Sequence, residues 1–249
     1  MKTRLTFLSV SVLFLLACNL LSPPPTAAPT SPPSETSAPP QPTATVPPEP
    51  TAAPLFFRDD FNEVLAEGWL WQNETPAHWN LTSERGWLEM TVLAGHITGS
   101  DYSNLLLRLA PDGDFRLETR LNFSPVSNFQ VAGLVVYQSD VDFLLAGRAF
   151  CDRADLCVGD GLYFDNYINA AFQAGNFAAD YNQGADVYLR LERDRDFYTF
   201  FASADGSNWT EIGSQRNGLN PLLIGLWTGQ NESTSLPARF DYFQVTGLP

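Results

Sequence analysis

Tyr137, Tyr163, Trp227 and Trp71 are the side chains of this chain best suited to hold a ligand. A flat ring offers an apolar platform to the C–H face of a sugar. The first three stand close to glycines in strand-like runs: Gly133 before Tyr137, Gly161 before Tyr163, and Gly225 before Trp227. Strand periodicity is two, so each ring shares a face with its glycine, and the missing side chain leaves room for a ligand. Asp165 alternates onto the face of Tyr163, and Arg148 is assigned to the same kind of accessible face as Tyr137. Neighbouring Asp, Asn and Arg orient hydroxyls by hydrogen bonds. Trp71, beside the polar Gln72-Asn73-Glu74, is read as a loop-borne wall. The expected carbohydrate-binding set is therefore Trp71, Tyr137, Arg148, Tyr163 and Trp227, with plain packing as the alternative for each.

Catalysis is less well supplied. Glycoside hydrolysis needs two positioned carboxylates, and no Glu-x-Asp-x-x-Glu run appears. Glu192, Asp194 and Asp196 do alternate, but Arg193 and Arg195 lie between them, as in a solvated turn. There is no nucleophile elbow, paired metal-binding histidine or phosphate loop, and His78 and His96 lie in loop-like stretches. No cofactor is expected. A structural calcium is left open, with Asp59 or Asp60 meeting Asp241 where first and last strands pair.

The elements that must position these residues read as strands throughout. Residues 131–150 form two apolar runs around a Ser-Asp-Val-Asp turn, which predicts a β-hairpin. One of its faces is expected to be core and the other an accessible surface carrying small residues, Tyr137 and Arg148. Residues 114–123, DFRLETRLNF, alternate cleanly, with Phe115, Leu117, Thr119, Leu121 and Phe123 on one side. Residues 187–191 and 197–202 pair around a charged turn, and Asp205-Gly206 turns the chain toward Trp209. Many short strands with Gly, Asn and Asp turns predict an all-β, two-sheet antiparallel jelly-roll sandwich over residues 55–249.

What precedes it is of another kind. Lys2 and Arg4 lead into an apolar stretch ending Leu15-Leu16-Ala17-Cys18, which reads as a signal peptide over residues 1–17. The stretch is short for a membrane span. Its end is similar to the lipobox of bacterial lipoproteins, which implies lipidation of Cys18 and a protein anchored by lipid alone on the outer side of a membrane. Residues 18–54 then hold 13 of the 19 prolines, with Ser, Thr and Ala, and predict a disordered, semi-rigid stalk. In such an exported chain Cys151 and Cys157 are read as a disulfide closing a short loop, with two reduced thiols as the alternative. The net charge is −14 and no lysine follows Lys2, so nucleic acid is not an expected partner.

Several segments together resemble the concanavalin-A-like sandwich at the C-terminus of family-43 glycoside hydrolases. They are Asp59-Asp60-Phe61 with Trp69 and Trp71, the strands 115–123 and 132–137, Ser203-Ala-Asp-Gly-Ser-Asn-Trp209, Ile224-Gly-Leu-Trp227, and Phe240-Asp-Tyr-Phe243. The Cys151–Cys157 loop has no counterpart in that pattern. The resemblance implies a jelly roll used in carbohydrate recognition and does not by itself imply catalysis. The expected function is a non-catalytic, surface-displayed module binding an oligo- or polysaccharide. The alternatives are a structural or protein-interaction domain, and a glycan hydrolase whose acids lie in loops.

Overall fold

The computed structural model describes residues 53–153, 157–179, 184–220, 223–229 and 235–248. The expectations for the leader, Cys18, the stalk and the Cys157 side chain lie outside the described residues. Fifteen strands make up nearly all of the described fold: β1 Leu55–Asp59, β2 Leu70–Gln72, β3 Trp79–Asn80, β4 Leu88–Thr91, β5 Leu105–Leu109, β6 Phe115–Asn122, β7 Val131–Ser139, β8 Asp142–Arg153, β9 Cys157–Ile168, β10 Ala171–Ala179, β11 Asp186–Asp194, β12 Phe197–Ser203, β13 Thr210–Arg216, β14 Leu223–Gly229 and β15 Pro237–Thr246.

They form two antiparallel sheets. The first runs β13-β12-β11-β6-β15-β4-β3, with β1 also paired to β15; the second runs β10-β9-β8-β7-β14-β5-β2. The first and last strands do pair, Asp59 opposite Phe243. The expected sandwich is therefore the observed one.

Alternation explains the packing between the sheets. Phe115, Leu117, Thr119 and Leu121 of β6 are fully buried, and Val187, Leu189 and Leu191 of β11 meet them from the neighbouring strand. Ala132, Leu134 and Val136 of β7, Leu144 and Ala146 of β8, and Phe164 of β9 close the core from the second sheet. Each such side chain contributes roughly 1.5–3 kcal/mol by leaving water. On the solvent side of β6 the opposite parity carries charge, and register pairs it. Arg116 bonds Glu192 at 2.7 Å, Glu118 bonds Arg190 at 2.7 Å, and Arg120 bonds Asp186 at 2.6 Å. The alternating acids of the 192–196 turn are thus matched by arginines: Asp194 by Arg195, and Asp196 by Arg216.

The second sheet departs from expectation. Its outer face is also packed, as a second cluster of Leu105, Leu107, Val135, Leu145, Phe143, Tyr137, Tyr163 and Trp227. The segment 92–104 supplies a cover, with Ile97 fully buried in that cluster and Tyr102 nearly so. A strand buried on both faces reads as a continuous apolar run, which is what VAGLVVY in β7 is.

Candidate functional site

Five strands set this part of the outer face of the second sheet. At one level the register reads Phe177 on β10, Tyr163 on β9, Gly147 on β8, Gly133 on β7 and Trp227 on β14. The two glycines do not leave a vacant trough. The indole of Trp227 reaches over them and its Nε1 donates to the Tyr163 hydroxyl at 3.2 Å. Both rings are buried, Trp227 at 1% and Tyr163 at 6% exposure. Burial drives the Tyr163 pKa well above its ordinary value.

Tyr137 is also buried. Its hydroxyl donates to Asp140 Oδ1 at 2.7 Å and accepts from Gln72 Nε2 at 3.0 Å, while Tyr102 donates to the same Asp140 oxygen at 2.8 Å. Tyr137, Tyr163 and Trp227 therefore belong to one packed cluster, as the alternation implies. They form its floor.

Arg148 and Trp71 are elsewhere. Arg148 stands opposite Ala132, not with Tyr137, so it faces between the sheets and the accessible-face assignment is corrected. It is 3% exposed, forks onto both oxygens of Asp160, and donates to the carbonyls of Gly184 at 2.6 Å and Ala185 at 3.0 Å. Trp71 packs toward the inter-sheet core against Trp79, with ring centroids 4.7 Å apart. It lies on a short strand, not in a loop.

What remains open is the corner made by β9 and β10. Asp165 on β9 stands opposite Leu145 on one side and Gly175 on the other. A Cβ at Gly175 would meet Asp165 Oδ1 and the Phe172 ring, each at 2.8 Å, so carboxylate and ring share the space that this glycine leaves. Phe172 is 56% exposed and sits edge-on to half-buried Tyr167, centroids 5.6 Å apart. Tyr167 stacks on Phe143 at 4.7 Å. Half-buried Phe177 lies over Gly161.

His96, from the covering segment, roofs the same corner at 5.0 Å from Tyr167 and 6.3 Å from Trp227. Its Nδ1 accepts from the Thr98 amide, which leaves the ring proton on Nε2, and that atom is buried without a hydrogen-bond partner among the described residues. Burial lowers its pKa, against the opposing field of Asp101. Burial likewise raises Asp165 to about 7, a strong shift for a carboxyl that keeps partial contact with solvent.

The calcium arrangement is not met. Asp59 accepts from the amides of Phe61 at 2.9 Å and Ala66 at 2.8 Å and from the Trp69 indole at 2.8 Å. Asp60 pairs with Arg58, and Asp241 with Arg120. Donors occupy both oxygens of Asp59, and an arginine holds one oxygen each of Asp60 and Asp241, an arrangement that suits a chain tether.

Sequence reasoning noted Asp165 beside Tyr163 but missed Tyr167, Phe172, Phe177 and His96. The alternation Tyr163-x-Asp165-x-Tyr167 was the available signal.

Two antiparallel sheets, one with a ring-lined outer face, define a concanavalin A-like β-sandwich. The chain belongs to the family of β-xylosidase C-terminal concanavalin A-like domains, whose model matches residues 58–246. Among solved structures it is similar to the GH43 protein BlXynB of Bacillus licheniformis, at 17% identity and TM-score 0.68 over 77% of this chain and 39% of that one. It also resembles the Bacteroides ovatus xyloglucan-locus GH43B, at 21% identity and TM-score 0.67, over 80% and 40% of the two chains. A third is a xylan β-1,4-xylosidase from Bacillus halodurans, at 20% identity and TM-score 0.62, over 81% and 41%. This chain thus spans about two-fifths of the length of those proteins, and at such identities the likeness shows the fold. No curated protein sequence matches it.

Proposed function

We propose that this chain is a cell-envelope lipoprotein, held by lipid on Cys18 and displaying a non-catalytic carbohydrate-binding sandwich on a proline-rich stalk. The observation that carries the binding reading is the open corner of the second sheet. Asp165 stands there between Tyr167 and Phe172 without a protein hydrogen bond among the described residues. The exposed Phe172 ring and the half-buried Tyr167 ring supply platforms for sugar C–H faces, and a carboxyl without a protein partner can hydrogen-bond hydroxyls. Tyr163 and Trp227 serve as the packed floor beneath, not as platforms.

The family supports a carbohydrate-related role, and the acidity of the chain argues against nucleic acid. The anchor rests on the Leu-Ala-Cys18 ending and the stalk after it. Mass spectrometry of the mature protein should find diacylglycerol on an N-terminal Cys18, and an unmodified N-terminus elsewhere would refute it. The disulfide belongs to the same reading. Register puts position 157 opposite 153, and so diagonal to 151 on one hairpin face. Titration of denatured, unreduced protein should then find no free thiol at Cys151 or Cys157.

For binding, the full chain should be titrated calorimetrically with a panel of neutral and charged oligosaccharides. Tyr167→Ala and Phe172→Ala should each weaken the best ligand about tenfold, or roughly 1–3 kcal/mol by analogy with ring-stacked bases. Unaltered binding by both folded variants would overturn the site.

A further inference from the structure

Asp165 differs from every other buried or half-buried carboxylate among the described residues. Glu89, Glu118, Asp160, Asp186, Glu192 and Asp241 each hold an arginine, and Asp59, Asp140 and Asp142 hold N–H or O–H donors. Among the described residues Asp165 has neither. Its neighbours on β9 are Tyr163 and Tyr167; on β10 they are Gly175 and the ring of Phe172; β8 gives Leu145. The covering segment gives His96, whose pKa burial lowers, so at neutral pH it brings no cation. The head contains no lysine at all.

We propose that this corner binds an ammonium group carried on a sugar, that is, an amino sugar without its N-acyl cap. The inference rests on the carbohydrate reading above and deepens it by naming the ligand class. A carboxylate supplies the charge-assisted hydrogen bond, and ring faces carry negative electrostatic potential that attracts a cation. Tyr167 and Phe172 present such rings beside this carboxylate. A divalent metal fits poorly, because hard cations take six or more oxygens and the described residues contain no group of three candidate ligands. A neutral sugar supplies no counter-charge to the ionised form of this desolvated carboxyl, whereas an ammonium does. Burial raises the Asp165 pKa to about 7, and a bound ammonium would draw the proton off. Affinity therefore rises with pH through neutrality, until the ligand amine loses its own proton.

The test compares glucosamine disaccharide with its di-N-acetyl form against the full chain, at pH 7.5 and elevated salt. The salt matters because a net charge of −14 attracts any cation non-specifically. The amino form should bind at least tenfold more tightly, and Asp165→Asn, which changes the total charge by one, should abolish that preference while leaving the protein folded. Equal binding of the two forms, or a preference that survives in Asp165→Asn, overturns the ammonium assignment. If neutral or N-acetylated sugars bind and the amine confers no advantage, the carbohydrate reading stands and this inference falls. If no oligosaccharide binds, both fall.

Discussion

The Trp227 indole donates to the Tyr163 hydroxyl at 3.2 Å across two strands that carry only Gly133 and Gly147 at that level. The glycines are required on a second count. A Cβ at Gly147 would lie 2.1 Å from the Ala132 carbonyl oxygen, and one at Gly133 would lie 2.2 Å from that of Ala146. Both obstacles are backbone, which cannot swing aside. Gly147→Ala should destabilise the protein by about 2–4 kcal/mol, read as a lower urea midpoint at unchanged slope. A change under half a kcal/mol would show that the strands part more easily than the packing suggests.

Arg148 is a second position where stability, not affinity, should respond. Its guanidinium joins β8 to Asp160 of β9 and to the carbonyls of residues 184 and 185. Arg148→Met removes the cation and leaves Asp160 without it. The cost should fall near 3 kcal/mol, at the lower end for buried pairs, because the Asp160 side chain is 30% exposed. Sugar affinity of the folded fraction should stay within twofold of wild type. A large loss of affinity with intact stability would return Arg148 to the binding site.

The sheets were legible because their signal is local. DFRLETRLNF alternates, and it became β6 with alternating burial. Faces were harder to read. In VAGLVVYQSDVDFLLAGRAF the parity of Arg148 depends on how the turn is counted. The chain pairs Ser139 with Asp142 after a register shift, which sends Arg148 inward opposite Ala132. Nor does a glycine reveal whether its space is vacant or filled by a ring from two strands away, as Trp227 and Tyr163 fill it. The roof was hidden for a similar reason. His96 meets Tyr167 across 71 positions of sequence, and its contact depends on the path of a segment with no repeating pattern.

Asp59 should behave as a tether. Its carboxylate gathers the amides of Phe61 and Ala66 with the Trp69 indole, and so folds the segment after β1 onto the core. Asp59→Ala strands those donors in a site where the residue is only 5% exposed, at a cost of about 2–4 kcal/mol. Chelator should leave the melting temperature of the wild-type chain unchanged, and added calcium should not raise it. A calcium-dependent rise of several degrees would mean that oxygen ligands gather somewhere outside this cluster.

Asp165 makes stability depend on pH in a defined direction. The folded carboxyl keeps its proton up to about pH 7, since burial disfavours its charged form. The unfolded one releases it near the ordinary value of about 3.9. Between those limits the folded state holds more protons, so stability falls as pH rises, and the loss is complete above the folded value. Below the unfolded value both states are protonated and nothing is lost. Asp165→Asn does not titrate, so the difference between variant and wild type isolates this group. The variant should gain on wild type by up to about 3–4 kcal/mol between pH 4 and 8, in denaturant melts at constant salt. Saturating amino sugar should shrink that gap above pH 7 by stabilising the wild type more than the variant. A difference that stays flat from pH 4 to 8 would mean that the carboxyl is better solvated than its ring-lined corner implies.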